Sequence, residues 1–426
     1  MRSAPSASSP GSSPRPSSWR TRLAALGPGI MMASAAIGGS HIVSSAQAGA
    51  LFGWQLAGLL VLTNLLKYPF FRFGPQYTVE TGRSLIEGYA DKGRPYLWVF
   101  FILCAVSSVI SAAGVGLLSA VILNSMLPAG LAVSAPVTAS VMMLVVWALL
   151  IAGHYKALDG VTKLIVAGLT VATVVSTFVA ASKGSNIQPG FVQPSPWNLA
   201  TLPFLVALVG WMPAPIEISA INSMWIKAKQ KLSPANAADT LFDFNVGYVT
   251  SALLALFFLA MGALVQYGNG EKLEPASAAY INQLVQMYGR TIGEWSRPVI
   301  LLIAFMCMFG TTITVVDGYA RASAEALRLL RGRSELRSRS VGLWVTGISV
   351  VSLALILLMQ NQLAGMLKFA MTSAFVTAPV FAWLNLSLVS GNRHLSGGLK
   401  ALAYAGLVFL AGFTALFLAN LTGLVG

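Results

Sequence analysis

The sequence predicts an all-α membrane protein with eleven transmembrane helices, and three observations lead to this prediction. The 426-residue chain is 56% hydrophobic and only 9% charged, whereas about 25% of the residues of a soluble domain are charged. Eleven apolar segments approach the roughly 20 residues that a helix needs to cross a bilayer. Two of these segments are interrupted, and the interruptions stand at corresponding positions in two sets of five.

The predicted spans follow one another with short connections along the whole apolar part of the chain. Residues 1–20 are rich in Ser and Pro without an apolar core, and they predict a disordered cytoplasmic tail ahead of a single transmembrane domain, 21–426. The spans cover residues 24–50, 54–76, 97–123, 132–153, 160–182, 199–222, 244–267, 297–321, 341–360, 363–388 and 398–424.

Lysine and arginine are distributed unevenly between the two sides of the predicted bundle. With the N-terminus in the cytoplasm, only five of the 27 Lys and Arg fall outside the cytoplasmic ends and loops: Lys183, Lys272, Arg290, Arg297 and Lys368. This bias follows the positive-inside rule and predicts a cytoplasmic N-terminus and an external C-terminus. The net charge of +14 therefore indicates contact with lipid headgroups rather than nucleic acid. We expect a multi-pass protein of the plasma or inner membrane.

Two spans carry residues that interrupt a helix. Span 1 contains Gly38-Gly39 in "SAAIGGSHIVSSAQAG", and span 6 contains Pro213 and Pro215 in "VALVGWMPAPIEISAIN". Proline lacks a backbone donor and clashes with the preceding turn, so the first half of span 6 is predicted to end after Met212. Unpaired main chain at membrane depth is tolerated only where it lines a cavity. A pair of simple kinks is the alternative, since Gly and Pro are common in membrane helices.

The matched positions of the breaks favour a secondary transporter. Spans 1 and 6 each open a set of five, so repeat one covers 24–182, repeat two covers 199–388, and 398–424 is an additional helix. Interrupted segments at corresponding positions are typical of inverted repeats, whose binding site lies between the breaks near the bilayer midplane. A membrane-embedded enzyme would need clustered His, Asp or Glu, and the sequence predicts no such cluster within the spans. A non-transporting membrane sensor is the remaining alternative. No ATP-binding loop is present, and we expect no cofactor.

Several short motifs resemble the NRAMP (natural resistance-associated macrophage protein) family of divalent-metal transporters. The shared motifs are Gly27-Pro28, Gln47-Ala48-Gly49-Ala50 with Phe52-Gly53-Trp54, Thr81-Gly82-Arg83, Met212-Pro213, "FDFNVGYVTSALLALFFLAMGALV" and "FGTTITVVDGYA", with a fainter match around Pro379. The resemblance implies the leucine-transporter-like bundle of two inverted five-helix repeats with broken helices 1 and 6.

The chain departs from the family where the metal would bind. The resemblance implies a metal-binding Asp-Pro-Gly-Asn in helix 1 and Ala-x-x-Met-Pro-His in helix 6, so the Asp, the Asn and the His are all replaced here. Span 3 also lacks the acidic residues that the family uses for proton movement. The expected substrate-binding residues are Gly38, Gly39, Ser40 and His41 in helix 1, Val209, Met212, Pro213 and Ala214 in helix 6, and Thr372, near a family Gln, in helix 10.

These replacements change the substrate that the site is expected to bind. A divalent ion in a low-dielectric site needs negative charge or many oxygens, whereas a broken helix presents unpaired amides and a partial positive charge. We expect a small inorganic anion of the bicarbonate class. A divalent metal such as manganese, iron or magnesium, transported with or without proton coupling, is the alternative, since Met sulfur and imidazole suit softer ions.

Three ionisable residues within spans 1, 2 and 6 each have two interpretations. Glu217 is expected near the start of the second half of span 6, as third residue of a helix beginning at Pro215. There it either meets the helix dipole or carries a coupling proton. Lys67 either snorkels to the cytoplasmic headgroups or lines an inner vestibule. His41 either is a satisfied core residue or touches substrate and senses pH. We expect a monomer.

Overall fold

The computed structural model describes residues 26–128, 133–153, 156–185, 187–232, 236–359, 362–391 and 395–424. The expected N-terminal tail, 1–20, lies outside the described residues. Within these ranges the chain forms fifteen α-helices and no strand, so the all-α prediction is confirmed.

The first repeat begins with a short helix that is continued, after a break, by a second one. A π-helical segment, Ser40–Ser45, leads from the break into the second helix. The helices are α1 (Pro28–Ala36), α2 (Ala46–Phe52), α3 (Ala57–Thr81), α4 (Leu85–Lys92), α5 (Arg94–Met126), α6 (Ala135–Ile151) and α7 (Lys156–Lys183).

The second repeat begins in the same way and is followed by the additional helix. A second π-helical segment, Gly262–Gln266, extends α10 by five residues. The helices are α8 (Leu202–Gly210), α9 (Ile218–Leu232), α10 (Ala237–Met261), α11 (Ala278–Ile292), α12 (Ser296–Leu330), α13 (Ser338–Leu358), α14 (Leu363–Val389) and α15 (Gly397–Leu421).

Each predicted span coincides with one helix or with one pair of half-helices. Among the described residues, six helices are individually long and apolar enough to cross a membrane: α5, α10 with its extension, α12, α13, α14 and α15. The other five spans are less conspicuous for identifiable reasons. Spans 1 and 6 are divided by breaks, α3 carries Lys67 and Arg72, α6 has only 17 residues, and α7 is apolar mainly from Ala167 onward.

Two helices, α4 and α11, were not among the predicted spans because they are short and amphipathic. A capping box begins α4: the Ser84 hydroxyl accepts from the Glu87 amide, and the Glu87 carboxylate accepts from the Ser84 amide. The Ser277 hydroxyl caps α11 by accepting from the Tyr280 amide. Such caps satisfy amides that lack a partner within the helix.

The first half-helix is held against α10 by direct contact between the two main chains. A Cβ on Gly29 would lie 2.1 Å from the Asp243 carbonyl oxygen, and one on Gly247 would lie 2.1 Å from the Gly29 carbonyl oxygen. The Asp243 carboxylate also accepts from the Gly27 and Gly29 amides at 2.9 and 2.7 Å. An anionic acceptor at a helix N-terminus is stabilising. These contacts fix the position of α1 and hence of the break that follows it.

Candidate substrate site

The first break separates α1 from the π-helical segment. Ile37 adopts an extended conformation with ψ 94°, and its carbonyl oxygen is turned towards α12. There the Cys307 thiol donates to it at 3.3 Å, and the Thr311 hydroxyl lies 3.4 Å away. The amides of Gly38 and Gly39 make no hydrogen bond to the described part of the chain. The predicted break is therefore present, with its carbonyl side occupied and its amide side free.

The second break extends from residue 211 to residue 217. The half-helix α8 ends at Gly210, two residues before the predicted end at Met212. The proline at 213 has no N–H for the Val209 carbonyl one turn earlier, and the Lys67 side chain supplies partners for the carbonyls of Val209 and Gly210. The backbone of α14 also approaches closely here, since a Cβ on Gly210 would lie 2.1 Å from the Met371 carbonyl oxygen.

The Lys67 side chain enters this second break and is completely buried. Its Nζ donates to four main-chain carbonyls, those of Val209 (3.1 Å), Gly210 (3.1 Å), Met212 (2.7 Å) and Ala214 (3.1 Å). The snorkelling interpretation is therefore wrong, because the ammonium satisfies carbonyls that the break leaves without helical partners. The inner-vestibule interpretation is not observed either, since the Nζ is enclosed by main chain.

A cavity of about 30 Å³ lies between the two breaks. This volume holds one or two water-sized groups. Four hydroxyl-bearing side chains supply its polar wall, and small residues with one indole ring supply the rest. The hydroxyls belong to Ser40, Ser111, Thr311 and Tyr319. They come from both repeats, so the cavity has the position expected of a substrate site between inverted repeats.

Four of the nine expected binding residues border this cavity, namely Gly38, Gly39, Ser40 and Ala214. The others lie elsewhere in this conformation. Val209 is buried in the last turn of α8 and Pro213 is buried in the second break, and the Thr372 hydroxyl is buried without a hydrogen-bond partner. Met212 packs in an apolar cluster with Phe52 and Leu56. Substrate contact by these residues stays a prediction.

His41 faces α10 rather than the cavity. Its Nε2 lies 2.9 Å from the Ser251 carbonyl oxygen and its Nδ1 lies 2.9 Å from the Ser40 hydroxyl. A carbonyl oxygen only accepts, so Nε2 donates to it and Nδ1 of the neutral ring is an acceptor. The Ser40 hydroxyl borders the cavity. The imidazole therefore does not line the cavity, but it is hydrogen-bonded to the Ser40 hydroxyl, which does.

Glu217 likewise does not line the cavity, but it is hydrogen-bonded to a residue that does. The prediction that it is the third residue of a helix starting at Pro215 is wrong, because Pro215 and Ile216 are still in the turn and α9 begins at Ile218. The Glu217 carbonyl accepts from the amides of Ala220 at 3.0 Å and Ile221 at 3.5 Å, in the first turn of α9. Its buried carboxyl group accepts from the Tyr319 hydroxyl at 2.9 Å.

The sequence did not single out four residues that border the cavity: Ser111, Trp211, Thr311 and Tyr319. Ser111, Thr311 and Tyr319 are polar residues within apolar spans, which is a weak signal by itself. Which of many hydroxyls face one cavity depends on how α5 and α12 are rotated about their axes. That rotation is a tertiary property that periodicity does not reveal.

The donor set at the site does not resemble a metal centre. No group of three or more His, Cys, Asp or Glu side chains that could hold a metal ion occurs in the described ranges. The Cys307 thiol, which lies near the first break, donates to the Ile37 carbonyl. The site thus offers hydroxyls and main-chain groups, with Lys67 as a nearby fixed positive charge.

Comparison with known proteins agrees with this architecture. A family model described as natural resistance-associated macrophage protein-like matches residues 29–426. The chain belongs to this family. It is also 51% identical over 411 residues to an uncharacterized protein of Pasteurella multocida (strain Pm70), in an alignment that covers 96% of this chain and 94% of that protein.

Solved structures of low sequence identity share the fold. A mutant manganese transporter of Eremococcus coleocola matches with TM-score 0.72 and 12% identity, over 95% of this chain and 89% of its own. Mhp1, a nucleobase-cation-symport-1 family transporter, matches with TM-score 0.60 and 15% identity, over 93% and 91%. MhsT in complex with L-phenylalanine matches with TM-score 0.62 and 10% identity, over 92% and 98%.

These matches confirm the resemblance to NRAMP proteins and the leucine-transporter-like fold of two inverted repeats. The NRAMP-like chain is a multi-pass membrane protein and a secondary transporter of the NRAMP type. Its substrate is a separate question, which the composition of the cavity addresses.

Proposed function

We propose that this NRAMP-like protein transports a small inorganic anion of the bicarbonate class by alternating access, as a monomer in the plasma or inner membrane. The composition of the cavity wall carries the proposal. Among the described residues, the wall contains hydroxyl groups, unwound glycines and apolar side chains, and it contains no carboxylate, imidazole or thioether. An anion requires hydrogen-bond donors, and the Gly38 and Gly39 amides, which make no hydrogen bond to the described part of the chain, are donors beside the cavity.

The free amides of the first break support an anion over a cation. Gly38 and Gly39 border the cavity and stand at the beginning of the π-helical segment, where unpaired N–H groups carry partial positive charge. The carbonyl of Ile37, which could have served a cation, already accepts from Cys307. The first break therefore leaves amide donors without partners beside the cavity, whereas its Ile37 acceptor is already satisfied.

The fixed charge behind the second break acts in the same direction. Ala214 borders the cavity, and its carbonyl accepts from the Lys67 ammonium. A divalent cation beside this ammonium would meet repulsion in addition to the cost of leaving water, which is already several kcal/mol for a single charge. An anion would gain from the same field.

The size of the cavity limits the substrate to a compact species. A volume of about 30 Å³ is far below the several hundred Å³ of a pocket for drug-sized molecules. Substrates as large as an aromatic amino acid, such as the one bound to MhsT, do not fit this conformation. Bicarbonate, nitrate and formate have only three or four non-hydrogen atoms, so they need the least widening of the cavity, and their oxygens can accept from the Gly38 and Gly39 amides.

Uptake into proteoliposomes tests the proposal directly. Purified protein is reconstituted, and labelled bicarbonate and labelled manganese are offered in parallel at two pH values, with protein-free liposomes as control. We expect saturable bicarbonate uptake that unlabelled bicarbonate abolishes, and no manganese uptake above the control.

Each of the alternatives has its own outcome in this experiment. Manganese or cadmium flux without a response to any anion would overturn the proposal in favour of a metal transporter. Absence of flux for every ion, with binding of bicarbonate to the purified protein, would indicate a sensor. Uptake of nitrate or formate but not bicarbonate would keep the anion class and replace the named substrate.

A further inference from the structure

Four main-chain carbonyl oxygens surround the Lys67 Nζ at 2.7–3.1 Å. They belong to the last two residues of α8, 209 and 210, and to residues 212 and 214 of the break that follows it. The lysine itself comes from α3 and is 0% exposed. Such convergence of carbonyls on one point is the arrangement by which main chain replaces the hydration shell of a cation.

The number of acceptors determines the protonation state that fits the geometry. A carbonyl oxygen can only accept, and an ammonium group has three N–H donors, whereas a neutral amine has two. Four converging carbonyls therefore suit the ammonium, with one N–H shared between two acceptors. The C-terminal end of α8 adds the negative end of a helix dipole, which also favours a cation.

The dimensions of the shell resemble those around a large monovalent cation. Oxygen ligands lie 2.3–2.6 Å from Ca²⁺ and about 2.0–2.1 Å from Mg²⁺, and the four distances to Lys67 are all longer. We propose that Lys67 is a tethered cation that permanently fills a carbonyl-lined cation site at the second break and thereby excludes free metal ions from the transport site.

This assignment makes Lys67 a specificity-determining residue of the transporter. Because the lysine is tethered to α3, its amino group stays beside the second break, and the carbonyl that accepts from it at Ala214 belongs to a residue of the cavity wall. The consequence for transport rests on the proposed anion function. The presence of a cation site beneath the lysine does not, since it can be tested without any substrate.

Chemical rescue tests the cation site. The change Lys67→Ala removes Cγ, Cδ, Cε and Nζ, which together correspond to n-propylammonium. The purified variant is unfolded by heat in detergent with propylammonium chloride, potassium chloride or choline chloride at equal ionic strength. We expect its melting temperature to fall by several degrees relative to the native protein and to be restored in large part by propylammonium, more weakly by potassium and not by choline.

Matched variants make the result specific. Lys368 is a lysine within a predicted span whose side chain is exposed, and Lys368→Ala should melt like the native protein in all three salts. Lys67→Met fills the space without a charge, so no salt should restore its stability. A folded Lys67→Ala protein that responds equally to the three salts overturns the proposal.

Two further measurements test the cation site if Lys67→Ala cannot be purified as folded protein in choline chloride. Recovery of monodisperse protein only when propylammonium is present from solubilisation onward supports the cation site, and failure in both salts contradicts it. Lys67→Gln retains two N–H donors without the charge. We expect it to remain folded with bicarbonate uptake lower by about tenfold or more, and native uptake by this variant would contradict the role in specificity.

Discussion

The Lys67 ammonium lies 2.7 Å from the Met212 carbonyl oxygen, and this contact joins α3 to the broken helix of the second repeat. The two breaks are thus stabilised by different chemistry. At the first, neutral thiol and hydroxyl groups of α12 satisfy the Ile37 carbonyl; at the second, a positive charge satisfies four carbonyls. The second break therefore contains a buried ammonium together with the Glu217 carboxyl group, and these two groups interact electrostatically.

Restoring a carboxylate at the first break should reverse the charge of the cavity. A Cβ on Gly38 would meet Thr311 Cγ2 at 3.5 Å and Met308 Sδ at 3.7 Å, which are ordinary contacts. We expect Gly38→Asp to lower bicarbonate uptake by about tenfold or more, roughly 1.4 kcal/mol, because the carboxylate repels the anion and takes its donors.

The matched control at this position is Gly38→Asn, which has nearly the same shape without the charge. Its uptake in the same proteoliposome assay should stay well above that of Gly38→Asp. Equal losses in the two variants would show that the position is sensitive to volume alone, and would remove the electrostatic argument.

Glu217 is linked to the cavity by a hydrogen bond, since its carboxyl group accepts from the cavity residue Tyr319. If its proton accompanies transport, Glu217→Gln should weaken the pH dependence of bicarbonate uptake and lower uptake at the optimal pH by about tenfold. Tyr319→Phe keeps the carboxyl group and should retain the pH dependence at a reduced rate. Unchanged uptake with an unchanged pH profile in Glu217→Gln would leave that residue a structural role only.

The crossing of α1 and α10 should not tolerate a side chain. Gly29→Ala would place a Cβ 2.1 Å from the Asp243 carbonyl oxygen, so the helices must separate at a cost of at least about 2–3 kcal/mol. Gly412 lies within α15 with nothing within 4 Å of its Cβ position, and Gly412→Ala should change stability by less than about 1 kcal/mol. Melting in detergent compares the two variants, and equal melting temperatures would contradict the close approach.

Glu87 gives the fold a pH dependence outside the membrane spans. Burial raises the pKa of its carboxyl group, but hydrogen bonds from Lys227, at 2.5–2.6 Å, and Ser84 outweigh burial, so the pKa lies below its ordinary value of 4.5. A depressed pKa stabilises the folded state above the unfolded pKa, and this contribution is lost as the pH falls through the folded value.

Glu87→Gln should therefore destabilise the protein at pH 7 by about 1–2 kcal/mol. The difference from the native protein should shrink as the pH falls below about 4.5. Melting temperatures in detergent across this range measure it. A destabilisation that is constant with pH would mean that the capping geometry, rather than the charge, is responsible.

Most of the fold was predictable because membrane spans are encoded locally. Apolar length predicted α5, α12 and α15 without knowledge of their neighbours, and the lack of water in the bilayer leaves a helix as the structure available to each. The breaks were predictable for the same reason, since a proline at 213 and paired glycines at 38 and 39 act on their own backbone. The end of α8 was misplaced by two residues because Lys67, from another helix, provides partners for its last carbonyls.

The sequence by itself determined the class of protein, the number of spans, the positions of the two breaks and the absence of the family's metal-binding Asp. Only the tertiary structure decided which polar groups meet between the breaks. It turned His41 towards Ser251, buried Lys67 in the second break, and brought Thr311 to the cavity. The physical reason is that a break depends on one residue's own backbone, whereas a cavity depends on the rotation and approach of several helices, which packing alone sets.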